Sequence, residues 1–155
     1  MKEKQALKGR PFPSLSSRRW REEVGDALRR YRGKMNDVLD FPLARALRLT
    51  FGAGEWDVGA LAGFLDTYER YMDDGPGRVT FLDNHDIDRF LFVAGQDRDR
   101  LRLAATCLFT LPHTPVLYYG TEVGMSHDVG CEVNGGGGHA LVRGDMPWDE
   151  SEWDR

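Results

Sequence analysis

The hydrophobic positions of the chain fall into two alternating patterns. Short apolar runs predict three strands, at 35–43, 79–82 and 115–119. Apolar residues at helical spacing predict three helices, at 44–51, 57–72 and 97–111. This alternation of strand and helix is typical of parallel βαβ units with right-handed crossovers. The pattern therefore predicts an α/β fold.

Individual residues mark the ends and the faces of these elements. Asp57 is a suitable N-cap for the second helix, and Pro42, which lacks an N–H, is expected to mark the exit of the first strand. Tyr118 and Tyr119 are expected to face opposite sides of the third strand. The inward faces of the second and third helices are predicted to consist of Leu61, Phe64, Leu65, Tyr68 and Met72, and of Leu101, Ala104, Ala105 and Leu108.

Composition and charge narrow the class of protein. Hydrophobic residues make up 41% of the chain and charged residues 30%, which is typical of globular proteins, and the absence of a long apolar run argues against a membrane protein. A net charge of -4 argues against nucleic acid as the main partner. The basic residues concentrate near the N-terminus, where residues 1–20 are expected to form a charged tail and residues 20–31 an amphipathic helical segment.

The two cysteines and the N-terminus indicate the compartment. Cys107 falls in a predicted helix and Cys131 in a glycine-rich loop, without C-x-x-C spacing, so both are expected to be reduced thiols with neither a disulfide nor a metal site. The first residues lack the apolar core of a signal peptide, which favours a cytoplasmic location.

The glycine run at 135–138 lacks the Gly-Lys-Ser/Thr of a phosphate loop and is predicted to be a flexible connection.

A cluster of polar residues follows the second predicted strand. Asp83, Asn84, His85 and Asp86 come directly after the apolar run 79–82. Ligands of parallel α/β folds bind beyond the carboxyl ends of the strands, so this cluster is a candidate binding or catalytic site.

Four segments carry a resemblance to a known family. They are F-L-D-N-H-D at 81–86, T-P-V-L-Y-Y-G-T-E at 114–122, V-L-D-F-P-L at 38–43 and R-G-D-M-P-W-D at 143–149. In this order they resemble strands six to eight of the α-amylase family, glycoside hydrolase family thirteen, and the segment that follows them. The resemblance implies a partial (β/α)8 TIM barrel formed by residues 33–155, preceded by a divergent basic segment, 1–32.

The same resemblance implies roles for individual residues. His85 and Asn84 are expected to bind the sugar that is cleaved, and Asp86 to stabilise the oxocarbenium-like transition state of a retaining glycosidase. Arg143 and Trp148 are candidates to reach substrate from the last segment, although a surface ion pair and a packed indole are the simpler interpretations. Asp86 has a structural alternative, because an Asp after a strand is often the N-cap of the next helix.

The chain does not supply the whole catalytic machinery of such an enzyme. Retaining hydrolysis needs a nucleophile and an acid/base carboxyl about 5 Å apart. Asp37 and Glu55 have the outline of these residues, but Met35 replaces the expected Arg and Glu55 follows no strand, so neither is assigned. No metal ligand is assigned either, although the family leaves calcium open as a cofactor.

Two hypotheses follow from these observations. In the first, the chain is the C-terminal part of a catalytic barrel that acts on α-glucosidic bonds in starch or maltodextrin, since it has 155 residues and a barrel needs about 250. It is then expected to be inactive alone, because the nucleophile and the acid/base are not found among its residues. Unpaired sheet edges would then favour self-association. In the second, the chain is a non-catalytic carbohydrate-binding or assembly protein.

Overall fold

The computed structural model describes residues 25–131, 137–149 and 153. The predicted tail at 1–20, the first part of the segment 20–31 (residues 20–24) and the first glycines of the run 135–138 lie outside these residues. Strands β1 (Asp37–Leu39), β2 (Gly77–Phe81) and β3 (Thr114–Val116) form a parallel sheet in the order β1-β2-β3. The predicted parallel α/β arrangement is confirmed.

Helices connect and cover these strands. A short helix, α1 (Asp26–Arg29), precedes β1; α2 (Phe41–Leu47), a π-helical turn (Arg48–Gly52) and α3 (Val58–Met72) lie between β1 and β2; and α4 (Phe90–Val93) and α5 (Arg98–Thr110) lie between β2 and β3. A 3₁₀ segment, Gly137–Arg143, follows β3.

Helix boundaries follow from capping side chains. The Asp57 carboxylate accepts a hydrogen bond from the Ala60 N–H at 2.7 Å, which confirms it as the N-cap of α3. Asp97 caps α5 in the same way, accepting from the N–H groups of Asp99 and Arg100. The predicted helices 57–72 and 97–111 therefore begin where a carboxylate satisfies the first free amides.

The hydrophobic core lies between the sheet and the helices. It consists of Leu43, Ala46, Leu47, Leu61, Phe64, Tyr68, Met72, Leu82, Phe90, Ala94, Ala104 and Leu108. All predicted inward residues of α3 and α5 belong to this core or pack against it, with Leu65, Leu101 and Ala105 only partly buried. Each fully buried large side chain contributes about 1.5–3 kcal/mol relative to exposure, so this cluster is the main source of stability.

A buried polar network also joins the sheet to α3. Asp40, which is fully buried, accepts hydrogen bonds from the Leu43 N–H at 2.9 Å and from the Tyr68 hydroxyl at 2.7 Å. Arg78 approaches Asp40 at 3.4 Å and pairs with Glu69 on its other side. Burial raises the pKa of Asp40, and these donors oppose that shift. The network fixes α3 on the sheet because every charged group in it has a partner.

Two predicted strands are shorter in the structure. The segment 35–43 forms a strand only at Asp37–Leu39, and Pro42 lies in the first turn of α2 instead of at a strand exit. The Asp40 side chain caps this helix, and proline fits a first helical turn because its missing N–H would be unpaired there. The third strand, predicted at 115–119, is observed at Thr114–Val116.

Both outer strands present apolar side chains to solvent. Within the described residues, β1 and β3 each pair only with β2, so each has an edge without a neighbour. Leu39 is 52% exposed, and Val116 and Leu117 are 44% and 41% exposed. The described part of the chain contains no helix that is long and apolar enough to cross a membrane.

Candidate active site

A buried carboxylate, that of Asp83, holds the loop after β2 on the side that faces the core. Asp83 is only 2% exposed; its Oδ2 accepts a hydrogen bond from the Phe90 N–H at 2.8 Å, and its Oδ1 accepts one from the Thr121 hydroxyl at 2.9 Å. Burial raises the pKa of Asp83, while these two donors oppose the shift. Asp83 therefore ties the start of α4 and the segment after β3 to the end of β2.

Above Asp83 the loop turns outward and presents two candidate residues. The Asn84 Oδ1 accepts a hydrogen bond from the Asp86 N–H at 2.8 Å, which closes an Asx turn. The turn leaves the side chains of His85 and Asp86 exposed, at 62% and 49%, with His85 Nε2 3.5 Å from Asp86 Oδ1. Asn84 thus has a positioning contact that the sequence did not indicate.

The alternative role of Asp86 as a helix cap is wrong. The N-cap position of α4 is Arg89, and the carboxylate that accepts from the first turn of this helix belongs to Asp83. Asp86 instead makes an ion pair with Arg143, whose Nη2 lies 3.2 Å from Asp86 Oδ1. The Asp86 carboxylate consequently remains at the surface, where its second oxygen faces no described donor.

Arg143 brings the last described segment onto this loop. Besides its ion pair with Asp86, its Nε–H donates to the His85 carbonyl oxygen at 3.0 Å. The four residues that were predicted to contact the sugar substrate therefore meet at the carboxyl edge of the sheet. They are Asn84, His85, Asp86 and Arg143. The expected surface ion pair of Arg143 is present. The expected packed indole is not, because Trp148 is 83% exposed.

Arg48 holds the loop from the other side. Its Nη1 donates to the carbonyl oxygens of Leu82 and Asp88, both at 2.9 Å, and so spans the whole loop that carries His85 and Asp86. The π-helical turn that begins at Arg48 places this side chain; such turns are frequent at functional sites. Sequence analysis missed Arg48 because nothing local distinguishes it from other helical arginines.

The two tyrosines after β3 pack on one buried arginine. Arg89 is fully buried, and its guanidinium carbon lies 4.3 Å from the Tyr118 ring centroid and 4.8 Å from that of Tyr119. The expectation that the tyrosines face opposite sides of a strand is wrong, since their rings are in edge contact at 4.7 Å. The cation over both rings favours this arrangement.

Hydroxyl groups of the same tyrosines reach the final segment. The Tyr119 hydroxyl donates to the Gly144 carbonyl oxygen at 2.7 Å, and the Tyr118 hydroxyl to the Val142 carbonyl oxygen at 3.3 Å. Arg143 lies between these two acceptors, so the tyrosine pair positions the residue that contacts Asp86.

Asp37 and Glu55, which were not assigned as nucleophile or acid/base, lie away from the carboxyl edge of the sheet or outside its strands. Asp37 is the first residue of β1 and pairs in register with Gly77, which places it at the amino end of the strands, opposite His85. Glu55 belongs to the turn between the π-helical turn and α3. A further group with metal-ligating atoms consists of Asp88, His127 and Cys131. Sequence analysis missed it because Asp88 lies far along the chain from the other two residues.

Comparison with known proteins establishes the family. The family model described as alpha amylase, catalytic domain, matches residues 22–152. The chain belongs to the α-amylase family. The fold of this family's catalytic domain is a (β/α)8 barrel, and the three parallel strands with their helices are consistent with part of such an α-amylase barrel.

Individual relatives agree with this assignment. The chain is 32% identical over 133 residues to alpha-amylase 2 of Dictyoglomus thermophilum, covering 86% of this chain and 24% of the relative. It is 34% identical over 125 residues to a cyclomaltodextrinase of Bacillus sp., covering 77% of this chain and 19% of the relative.

Solved structures of the family superpose on the same region. A cyclic alpha-maltosyl-(1-->6)-maltose hydrolase from Arthrobacter globiformis matches with a TM-score of 0.62 at 32% identity, over 77% of this chain and 26% of that one. An alpha-amylase from H. orenii matches with a TM-score of 0.62 at 26% identity, over 84% and 28%. This α-amylase-family chain thus spans about a quarter of the length of these relatives.

Proposed function

We propose that this chain forms the sugar-binding and transition-state-stabilising part of a retaining glycosidase site that acts on α-glucosidic bonds of starch or maltodextrin. The observation that carries the proposal is the convergence of His85, Asp86 and Arg143 at the exposed carboxyl edge of the sheet. The names of the relatives support the substrate class, since they include an alpha-amylase and a cyclomaltodextrinase.

Each residue has a role that its geometry supports. Asp86 is an exposed carboxylate that accepts hydrogen bonds from neighbouring hydroxyls of a bound glucosyl unit, and its negative charge favours the positive ring of an oxocarbenium-like transition state. His85 donates or accepts a second sugar hydrogen bond beside it. Arg143 holds the Asp86 carboxylate in place at 3.2 Å.

The covalent step lies outside these residues. Retaining hydrolysis requires a nucleophile and an acid/base carboxyl about 5 Å apart on either side of the scissile bond. Asp37 lies at the opposite end of the strands and Glu55 on a turn, so neither meets His85 and Asp86 in that geometry. We therefore propose that the chain alone binds glucan and hydrolyses it poorly.

Binding and hydrolysis assays on the full chain test this function. Calorimetric titration with maltooligosaccharides should show binding that Asp86→Asn weakens by about tenfold or more, since a hydrogen bond to a charged group contributes about 1.5–3 kcal/mol. Asp99→Asn is the matched control, because Asp99 is an exposed carboxylate on α5 that pairs only with Arg102 in the described residues. Equal affinities of both variants, or release of reducing sugar by the chain alone at ordinary enzymatic rates, would contradict the proposal.

A non-catalytic assembly function is a second candidate. The exposed apolar side chains at the sheet edges, Leu39, Val116 and Leu117, favour association of these edges with another strand. Analytical ultracentrifugation distinguishes the candidates: a stable oligomer that dissociates in a Val116→Lys variant supports assembly, whereas a monomer that binds maltooligosaccharide supports the first proposal.

A further inference from the structure

Three side chains with different metal-ligating atoms meet next to the candidate site. A carboxylate oxygen of Asp88, an imidazole nitrogen of His127 and the sulfur of Cys131 all lie within 4.8 Å of one another. His127 and Cys131 are only 8% and 5% exposed. Asp88 belongs to the loop after β2, whereas the other two belong to the segment after β3, so the cluster joins the two segments that shape the site.

The imidazole of His127 is already held in one orientation. Its Nδ1 lies 3.0 Å from the Val129 carbonyl oxygen, which can only accept, so the proton is on Nδ1 and Nε2 carries a lone pair. The ring also stacks on Phe92 at 4.2 Å between centroids. A histidine whose second nitrogen donates to a backbone carbonyl is the usual arrangement of a metal ligand.

The Nε2 atom of His127 lies close to the Asp88 carboxylate. Nε2 lies 3.5 Å from Asp88 Oδ1, and the same Oδ1 accepts a hydrogen bond from the Cys131 N–H at 2.8 Å. The backbone N–H of Arg89 also donates to Nε2 at 3.1 Å. A cation bound here would exchange that one backbone hydrogen bond for three coordinate bonds.

We propose that Asp88, His127 and Cys131 bind a divalent cation of the zinc class, with the fourth position open to water or another ligand. Thiolate and imidazole donors select Zn²⁺ over Ca²⁺ or Mg²⁺, which prefer oxygen ligands. Tetrahedral zinc with bonds of about 2.0–2.3 Å places its ligand atoms roughly 3.3–3.8 Å apart, so the cluster has to contract by about an ångström. Three residues separate His127 from Cys131, a spacing that structural zinc sites use.

Local charges act on a cation at this site. Binding of the cation displaces the proton of the Cys131 thiol to solvent, because the thiolate is the form that ligates a metal. Asp88 attracts the cation, while the nearby positive charge of Arg48, whose Nη1 is 2.9 Å from the Asp88 carbonyl oxygen, opposes it.

The bound cation would fasten the segment carrying His127 and Cys131 to the loop that presents His85 and Asp86. This inference does not depend on the proposed glycosidase function, because none of the three residues is assigned a contact with sugar.

Titration of the full chain with Co²⁺ and Zn²⁺ tests the site. Co²⁺ should give the near-ultraviolet charge-transfer absorption of a cobalt–thiolate bond at one equivalent per chain, and Zn²⁺ should abolish this absorption by competition. Cys131→Ser should remove the band, and Asp88→Asn should weaken Co²⁺ binding by tenfold or more. Cys107→Ala is the matched control: Cys107 lies on α5 and should have no effect on the band.

The folded state of each variant is checked by far-ultraviolet circular dichroism before metal is added. Cys131→Ser keeps a hydroxyl of similar size, and Asp88→Asn keeps an oxygen that can accept from the Cys131 N–H. The proposal is overturned if the wild-type chain gives no thiolate band, if the band persists in Cys131→Ser, or if Cys107→Ala removes it. If the Cys131→Ser chain does not fold, the other two variants decide. The proposal is then overturned if Asp88→Asn leaves Co²⁺ binding unchanged or if Cys107→Ala removes the band.

Discussion

Arg48 provides a quantitative test of how the site loop is held. Its Nη1 makes two hydrogen bonds of 2.9 Å, to the carbonyl oxygens of Leu82 and Asp88 at the two ends of the loop. Each bond from a charged donor contributes about 1.5–3 kcal/mol. Because Arg48 is only half-buried, we expect water to replace part of this contribution, which leaves about 2–4 kcal/mol for the pair.

The substitution Arg48→Met removes both bonds and keeps an unbranched side chain. We expect the midpoint of thermal unfolding to fall by about 8–16 °C, at roughly 4 °C per kcal/mol for a domain of this size. Maltooligosaccharide affinity should fall as well, because the loop that carries His85 and Asp86 loses its anchor. Both quantities can be measured on one sample, by circular dichroism and calorimetric titration.

Arg102→Met is the control for this experiment. Arg102 is 71% exposed on α5 and pairs with Asp99 in the same helix, an arrangement that contributes only about 0.2–0.5 kcal/mol. If Arg48→Met and Arg102→Met shift the unfolding midpoint equally, the anchoring role of Arg48 is refuted. A loss of stability without any loss of affinity would show that Arg48 stabilises the fold but does not contribute to sugar binding.

Three further substitutions test the core, the buried network and the last segment. Leu108→Ala removes a fully buried core side chain and should lower the free energy of unfolding by about 2–5 kcal/mol in urea titrations. Burial alone would raise the pKa of Glu69, but hydrogen bonds from His113 and Arg78 outweigh burial and lower it below 4.5. The stability that Glu69 contributes is therefore present above pH 4.5 and lost as the pH falls through the lowered pKa, and Glu69→Gln should flatten this part of the pH–stability curve. Tyr119→Phe removes the 2.7 Å bond to the Gly144 carbonyl and should cost about 0.5–1.5 kcal/mol by urea denaturation; no change would show that the bond is replaced by water.

Local signals in the sequence were sufficient for α3 and α5. Asp57 was recognisable as the N-cap of α3, and the helical spacing of apolar residues identified the buried faces of both helices. The predicted helix 44–51 instead begins at Phe41 and continues into the π-helical turn at Arg48, and α4 was not predicted. Pro42 was misassigned because proline suits both a strand exit and a first helical turn. The Asp40 side chain decides for the helix, through its bond to the Leu43 N–H.

The sequence also located the exposed residues of the candidate site, but not their supports. His85 and Asp86 follow a strand directly and are visible as a motif, whereas Arg48 and Arg89 act on residues that are distant along the chain. Tyr118 and Tyr119 left the expected strand pattern because the buried Arg89 guanidinium attracts both rings to one side. Contacts of this range depend on how helices pack, and no local pattern encodes them.

The most direct test of the sugar-binding proposal is a two-dimensional amide NMR titration of the full chain with a maltooligosaccharide. The account predicts that the amide signals of Asn84, His85, Asp86 and Arg143 shift together, while those of Asp37 and Gly77 at the opposite end of the strands do not. Shifts confined to the amino ends of the strands, or no shifts at all at saturating sugar, would contradict it.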